Sequence, residues 1–288
     1  MVESKQKNKK GYPGRDFEIV DYSMYQLKGT SMRFRGPEFA NLQPGEYSVA
    51  IGSAHTFGCF CEHPYPSLLT EKLNLPVLNL GIGGAGPLFY LKRKKLIEII
   101  NNGNFIIIQI GSARGESNSL FESLEKGAKI RRRSDGALIS SEQAYDRLIK
   151  TIDKNKLIEI INETRSNWIN NYIKLFKLIK VPKILFFFSG RKPQYEDGYQ
   201  NSWQLFNKFP QLVNSEMVEE LQKYSNDYVE CITNRGLPQQ FISRFTGKPI
   251  ELESLKGIKK THNKYYPSPE MHIDAANTLS MVCKKYIK

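Results

Sequence analysis

The chain has 288 residues, 40% of them hydrophobic, with 16 Phe and 15 Tyr, which is enough apolar material for a core and excludes global disorder. Its net charge of +13 favours an anionic partner: an acidic glycan, a phosphorylated or sulfated donor, nucleic acid or a membrane surface. There is no run of about 18 apolar residues to span a membrane, the lysine-rich start is followed by no secretory apolar segment, and the four cysteines form no CxxC pair, so a cytoplasmic protein with reduced thiols and no metal is expected.

Residues 1–14 read as a flexible basic tail and 15–288 as a single domain. An apolar run at 47–51 predicts a buried strand that ends on Gly52. Residues 66–73 have helical spacing and stop before Pro76. A second strand at 77–80 ends on Gly81, and an amphipathic helix is predicted over 88–102, stopped by Gly103. The apolar run 105–110 predicts a strand buried on both faces and ends on Gly111. Residues 114–145 are polar, include Arg131-Arg-Arg133, and are long for a plain connection, so an insertion or lid is expected there. Helices are predicted over 145–180, a strand over 183–188 ending at Ser189-Gly190, and further helices near 216–235 and 270–286.

Strands alternating with helices predict an α/β fold, a three-layer, doubly wound and mostly parallel sheet. Such sheets bind ligands outside the carboxyl ends of their strands. Glycine stands at four of those ends, at Gly52, Gly81, Gly111 and Gly190, and permits tight turns and close approach to a ligand. A shared rim is therefore the expected site.

Three loops on that rim carry chemistry: Gly52-Ser-Ala-His-Thr-Phe-Gly58, Asn79-Leu-Gly-Ile-Gly-Gly-Ala-Gly-Pro87 and Gly111-Ser-Ala-Arg-Gly-Glu-Ser-Asn118. A fourth block, Tyr265-Tyr-Pro-Ser-Pro-Glu-Met-His272, stands near the end. In that order they resemble the four blocks of the SGNH (GDSL-type) hydrolase superfamily. More closely, the chain is similar to an uncharacterised bacterial family related to it, with T-F-G, N-L-G and S-N in the three loops. The resemblance implies an SGNH/flavodoxin-like fold. It also implies a rim in which His272 is the base and Asn118 with Gly84 the oxyanion donors, with Ser53 the nucleophile if the loop is shifted by one position. The sequence departs from that pattern in two places. Ala54 occupies the superfamily's nucleophile position, and Pro269 stands where an Asp would precede the histidine, with Glu270 and Asp274 the nearest carboxylates.

From the residues themselves, backbone N–H groups near Ser53, Gly83 and Gly84 suit a developing negative charge or a bound anion. His55, Thr56, Gly83, Arg114 and Arg191 are the expected substrate-binding residues. The leading expectation is an enzyme acting on a carbohydrate ester, or transferring an acyl group, in surface-polysaccharide modification. Without a serine nucleophile, His272 would activate an acceptor hydroxyl toward a bound acyl or sulfuryl donor. A non-catalytic binding module for an anionic glycan or a nucleotide is the alternative from another class. No recognised motif supports nucleic acid, and no P-loop is present.

Overall fold

The computed structural model describes residues 11–253 and 257–287. Five strands form the central sheet: β1 (Ser48–Ile51), β2 (Val77–Asn79), β3 (Ile106–Gln109), β4 (Lys183–Ser189) and β5 (Asp227–Ile232). Their order is β5-β4-β3-β1-β2, and every pairing is parallel. Read from the first strand, this is the 2-1-3-4-5 order of a flavodoxin-like doubly wound sheet, as the alternating elements predict. The sheet reverses direction between β1 and β3, so the loops after these strands meet at the switch point.

The strands are continuous apolar runs because both faces are covered. Val49, Ile51, Ile106, Ile108, Leu185 and Phe187 face one core. Ala50, Ile107, Ile184, Phe186 and Phe188 face the other. Helices α1 (Ala54–Phe57) and α2 (Tyr65–Leu73) follow β1, and α3 (Pro87–Leu91) and α4 (Lys94–Asn101) follow β2. Helices α5 (Ser141–Thr151) and α6 (Lys154–Leu178) precede β4, α7 (Ser202–Phe206) and α8 (Ser215–Gln222) precede β5, and α9 (Pro269–Cys283) ends the fold. Helices α3, α4, α6 and α8 cover the first core, while α2 and α9 pack together over the second. All four cysteines are free and buried.

The structure corrects several element expectations. The helix expected over 88–102 is two, α3 and α4, because Arg93 leaves helical geometry at φ −126°, ψ 78°. Its guanidinium lies 3.8 Å from the Phe89 ring centroid and pairs with Glu125 at 2.9 Å. The helix expected near 216–235 stops at Gln222, and the chain turns into β5. The period-two alternation of buried Val229 and Cys231 with exposed Glu230 and Ile232 is the strand signal there. Within the expected insertion, Phe121–Ser123, Lys129–Arg132 and Leu138–Ser140 form an antiparallel meander that buries Phe121 and Ile130 in the first core. Arg131 and Arg132 pair with Glu122 and Asp135 on its surface. Residues 1–10 of the expected tail lie outside the described residues, but Tyr12–Arg15 is a helical turn rather than tail. Among the described residues no helix is long and apolar enough to cross a membrane.

Ile107 lies in the middle of the sheet and is fully buried. Ile107→Ala is expected to destabilise the fold by about 2–5 kcal/mol, from lost burial plus the cavity left behind. Urea unfolding should show a lower midpoint at unchanged slope; an unshifted midpoint would contradict the packing described.

Candidate functional site

Gln109, the last residue of β3, fixes the first loop. Its Oε1 accepts from the Ser53 N–H at 3.0 Å, from Ser53 Oγ at 3.1 Å and from Thr56 Oγ1 at 3.4 Å. Ser53 caps α1, its Oγ accepting from the His55 N–H at 3.4 Å. The second loop is held against the meander, where the Gly127 N–H donates to the Gly84 carbonyl at 2.9 Å. Gly84 has φ +73°, and a Cβ there would lie 2.2 Å from Gly127 N, so only glycine fits.

These loops line one pocket of about 270 Å3 together with the third. Ser53, Ala54 and His55 come from the first loop, Gly83 to Gly86 from the second, and Ser112, Arg114 and Glu116 from the third. Aromatic residues from distant segments close it: Tyr12, Phe209, Tyr265 and Tyr266. Among the described residues the N–H groups of Ala54, Gly83 and Gly84 have no protein acceptor. Three unpaired donors on one pocket suit an anionic or developing negative oxygen.

The His55 imidazole lies on the pocket wall. It stacks on Phe209 with ring centroids 3.5 Å apart and meets Tyr265 edge-on at 5.9 Å. Its Nδ1 is buried without a hydrogen-bond partner. Burial lowers its pKa from the ordinary histidine value to about 3, so the ring is neutral near pH 7. Glu116 is also buried on the pocket wall, and burial holds its carboxyl above the ordinary range despite the Ser117 N–H bonded to Oε1 at 2.9 Å. Tyr12 and Tyr266 hydroxyls meet at 3.2 Å, and burial pushes the Tyr266 phenol up to about 12.

The structure brings Ser53, His55, Gly83, Gly84 and Arg114 together on this pocket. Four other expected residues are elsewhere. Asn118 has no donor left for an oxyanion: its Nδ2 donates to Tyr145 OH at 3.2 Å and Thr164 Oγ1 at 2.9 Å, and its Oδ1 accepts the Leu120 and Phe121 N–H groups. His272 is fully buried in the first turn of α9, away from the pocket lining. Its Nδ1 accepts from the Tyr65 N–H at 3.2 Å, which places the proton of the neutral ring on Nε2, buried without a partner. No carboxylate orients it: Asp274 pairs with Arg235 at 2.6 Å and Thr233 at 3.0 Å. Thr56 is buried on α1, its hydroxyl 3.0 Å from Tyr65 OH. Arg191 spends its guanidinium on carbonyls of Lys192, Lys208, Pro210 and Val213, shaping the loop that carries Phe209.

The residues not anticipated are Gln109, Glu116, Tyr12, Phe209 and Gln211. Gln109 had a signal, a lone amide inside an apolar strand. Glu116 sits in a loop already singled out. Tyr12, Phe209 and Gln211 arrive through tertiary folding, and nothing local marks them.

A family profile described as a domain of unknown function, DUF6473, matches residues 12–126 and 147–287. The chain belongs to this family. The unmatched residues 127–146 hold the second and third strands of the meander. No curated protein matches the chain in sequence. Several solved structures are similar to the chain. An acetylxylan esterase from Geobacillus stearothermophilus is 13% identical, over 83% of this chain and 94% of that one, at a TM-score of 0.37. A putative lipolytic protein of the G-D-S-L family from Desulfitobacterium hafniense is 15% identical over 83% and 99%, at 0.37. A putative acylhydrolase from Bacteroides fragilis is 14% identical over 84% and 88%, at 0.40. The α/β assignment stands on the chain's own sheet order.

Two outcomes follow from the placement of Asn118 and His272. Asn118→Ala orphans the Leu120 and Phe121 N–H groups and removes one donor from the Tyr145 and Thr164 hydroxyls, which keep their bond to each other, so a loss of about 1–3 kcal/mol is expected. Thermal unfolding reads it, and an unchanged midpoint would reject the structural role. His272 has its pKa lowered well below the ordinary value, chiefly by burial. Below an unfolded pKa of about 6.5, the unfolded chain takes up a proton that the folded one does not. The stability this histidine contributes is complete above that pH and lost as pH falls below it, by about 1.4 kcal/mol per unit. His272→Gln should flatten that acid slope by one proton; parallel curves for the two proteins would contradict the buried neutral ring.

Proposed function

We propose that this pocket is the active site of an SGNH-like enzyme that acts on a carbohydrate ester, with His55 as the proton-transfer residue. The observation that carries this reading is the placement of a neutral histidine and three unpaired backbone N–H groups on one pocket at the switch point of the sheet. The aromatic wall and the interleaved polar groups of Ser112, Gln211 and the tyrosines suit the faces and hydroxyls of a sugar.

In this reading a hydroxyl, of water or of an acceptor sugar, attacks the ester carbonyl directly. His55 accepts the proton of the attacking hydroxyl as the new C–O bond forms. The carbonyl oxygen gains negative charge and is held by the N–H groups of Ala54, Gly83 and Gly84. Collapse breaks the bond to the sugar, and His55 returns the proton to the departing sugar oxygen. Attack by water gives hydrolysis, and attack by a sugar hydroxyl gives acyl transfer. Ser53 is not assigned the attack, because its hydroxyl donates to the Gln109 amide, which takes up no proton near pH 7. The site therefore does not need the serine that Ala54 replaces.

The test is turnover of 4-nitrophenyl acetate and of an acetylated xylo-oligosaccharide. His55→Ala should lower kcat by about 10²–10⁴-fold, the usual weight of a general base, and Ser53→Ala by far less. A base must be unprotonated, so with a pKa near 3 the rate should hold from pH 7 down to about 4.5 before falling. His55→Ala retaining full turnover would reject the assignment, while a fall centred near pH 6.5 that His55→Ala removes would keep the base and reject only its lowered pKa. No turnover of either ester at any pH leaves the binding-module reading in its place.

A further inference from the structure

A second chamber of about 420 Å3 opens on the other side of His55 and is not used by the chemistry above. It shares a wall with the first: His55, Arg114, Phe209, Gln211 and Tyr265 line both. Its far side is built from α7 and the loop after it, with Trp203, Phe206, Asn207 and Lys208, and Lys264 stands opposite.

Three features of this chamber point to one kind of occupant. Trp203 is 72% exposed, although an indole of that size is normally covered in a folded chain. It is one of two tryptophans; the other, Trp168, is fully buried in the first core. An exposed indole on a polar cavity offers a flat face for the C–H face of a sugar ring. Gln211 is buried, and its Nε2 donates to Tyr265 OH at 3.0 Å, but its Oε1 is buried with no partner. A buried acceptor left unpaired is costly, and a ligand hydroxyl would satisfy it. The charge is positive: Arg114 is paired with Glu142, while Lys208 and Lys264 have no ion-pair partner among the described residues.

We propose that the second chamber is a subsite for a neighbouring, negatively charged sugar residue, so that the ligand is an acidic oligosaccharide lying across both chambers. One sugar occupies the first pocket; the next stacks on Trp203, gives a hydroxyl to Gln211 and sets its carboxylate, sulfate or phosphate toward Lys208 and Lys264. The ester assignment supplies only what happens in the first pocket, and binding in the second stands or falls separately.

The test uses the emission of Trp203, because Trp168 is out of reach of any ligand. The full chain is titrated with tetragalacturonate and, in parallel, with neutral cellotetraose at low salt. Tetragalacturonate is expected to change the emission with saturation, at least tenfold more tightly than cellotetraose. Lys208→Ala combined with Lys264→Ala should remove that tenfold preference, and Trp203→Phe should remove the emission change. Absence of any change at millimolar tetragalacturonate, equal affinity for the two tetrasaccharides, or a change that persists in Trp203→Phe would overturn the subsite. If the titration succeeds while no ester is turned over, the subsite stands and the reaction assignment falls. If esters are turned over with no preference for the acidic chain, the reverse holds.

Discussion

The Gln109 side chain joins the sheet to the site. A polar residue at the end of a buried parallel strand is stable only if its hydrogen bonds are met. Here they are met by the first loop: Oε1 takes the Ser53 N–H and hydroxyl and the Thr56 hydroxyl, while Nε2 donates to the Ile110 carbonyl. The loop therefore cannot shift without leaving a buried amide unpaired. The same closeness fixes residue 52, since a Cβ there would lie 2.4 Å from Thr56 Oγ1 and 2.6 Å from Gln109 Oε1. One amide thus dictates both the glycine before the loop and the direction in which Ser53, Ala54 and His55 leave the strand.

Arg35 holds the other end. Its guanidinium is buried with no ion pair among the described residues, and donates to the carbonyls of Phe57, Gly58, Cys61 and Glu62. Four oxygens at the end of α1, together with the Tyr22 ring 4.8 Å away, meet the needs of a buried cation. Burial still lowers its pKa, which measures how fully it is withdrawn from water. Between Gln109 and Arg35 the segment from Ser53 to Glu62 has little freedom, and a histidine within it keeps one position relative to the second and third loops. Preorganisation of that kind is what a proton-transfer group needs.

How far this was readable in the sequence depends on the range of the interaction concerned. Strands β1 to β4 and the glycines after them were legible because burial on both faces demands unbroken apolar runs, and the turns demand small residues. The strand β5 was not, although Tyr228 and Glu230 alternate with Val229 and Cys231 as a sheet-edge strand requires, because the short helix directly before it blurs the change of period. Residue type misled at Asn118 and His272. An asparagine is equally suited to an oxyanion and to an Asx turn, and only the position of Leu120, Phe121, Tyr145 and Thr164 decides between them. His272 lies at the start of α9 as expected, but the helix turns it toward Tyr65 and Phe188 in the second core rather than toward the rim. His55, by contrast, follows the strand end directly, so its place on the rim depends on a few local bonds.

The placement of His55 on the first loop, with His272 in the second core, bears on the chemistry proposed for the pocket. A base on α9 would face a nucleophile on the first loop across the pocket, which suits a covalent intermediate on a serine. A base at residue 55 stands on the same turn as the nucleophile position and cannot face it. Ser53 instead caps the helix that carries His55, and its hydroxyl is bonded to Gln109. His55 lines two chambers, one with N–H donors and one with an exposed indole and two lysines that have no ion-pair partner among the described residues. A base placed between two ligand spaces is suited to moving a proton between two bound molecules, and in the reaction proposed above alanine at position 54 is no obstacle, because no side chain is asked to attack.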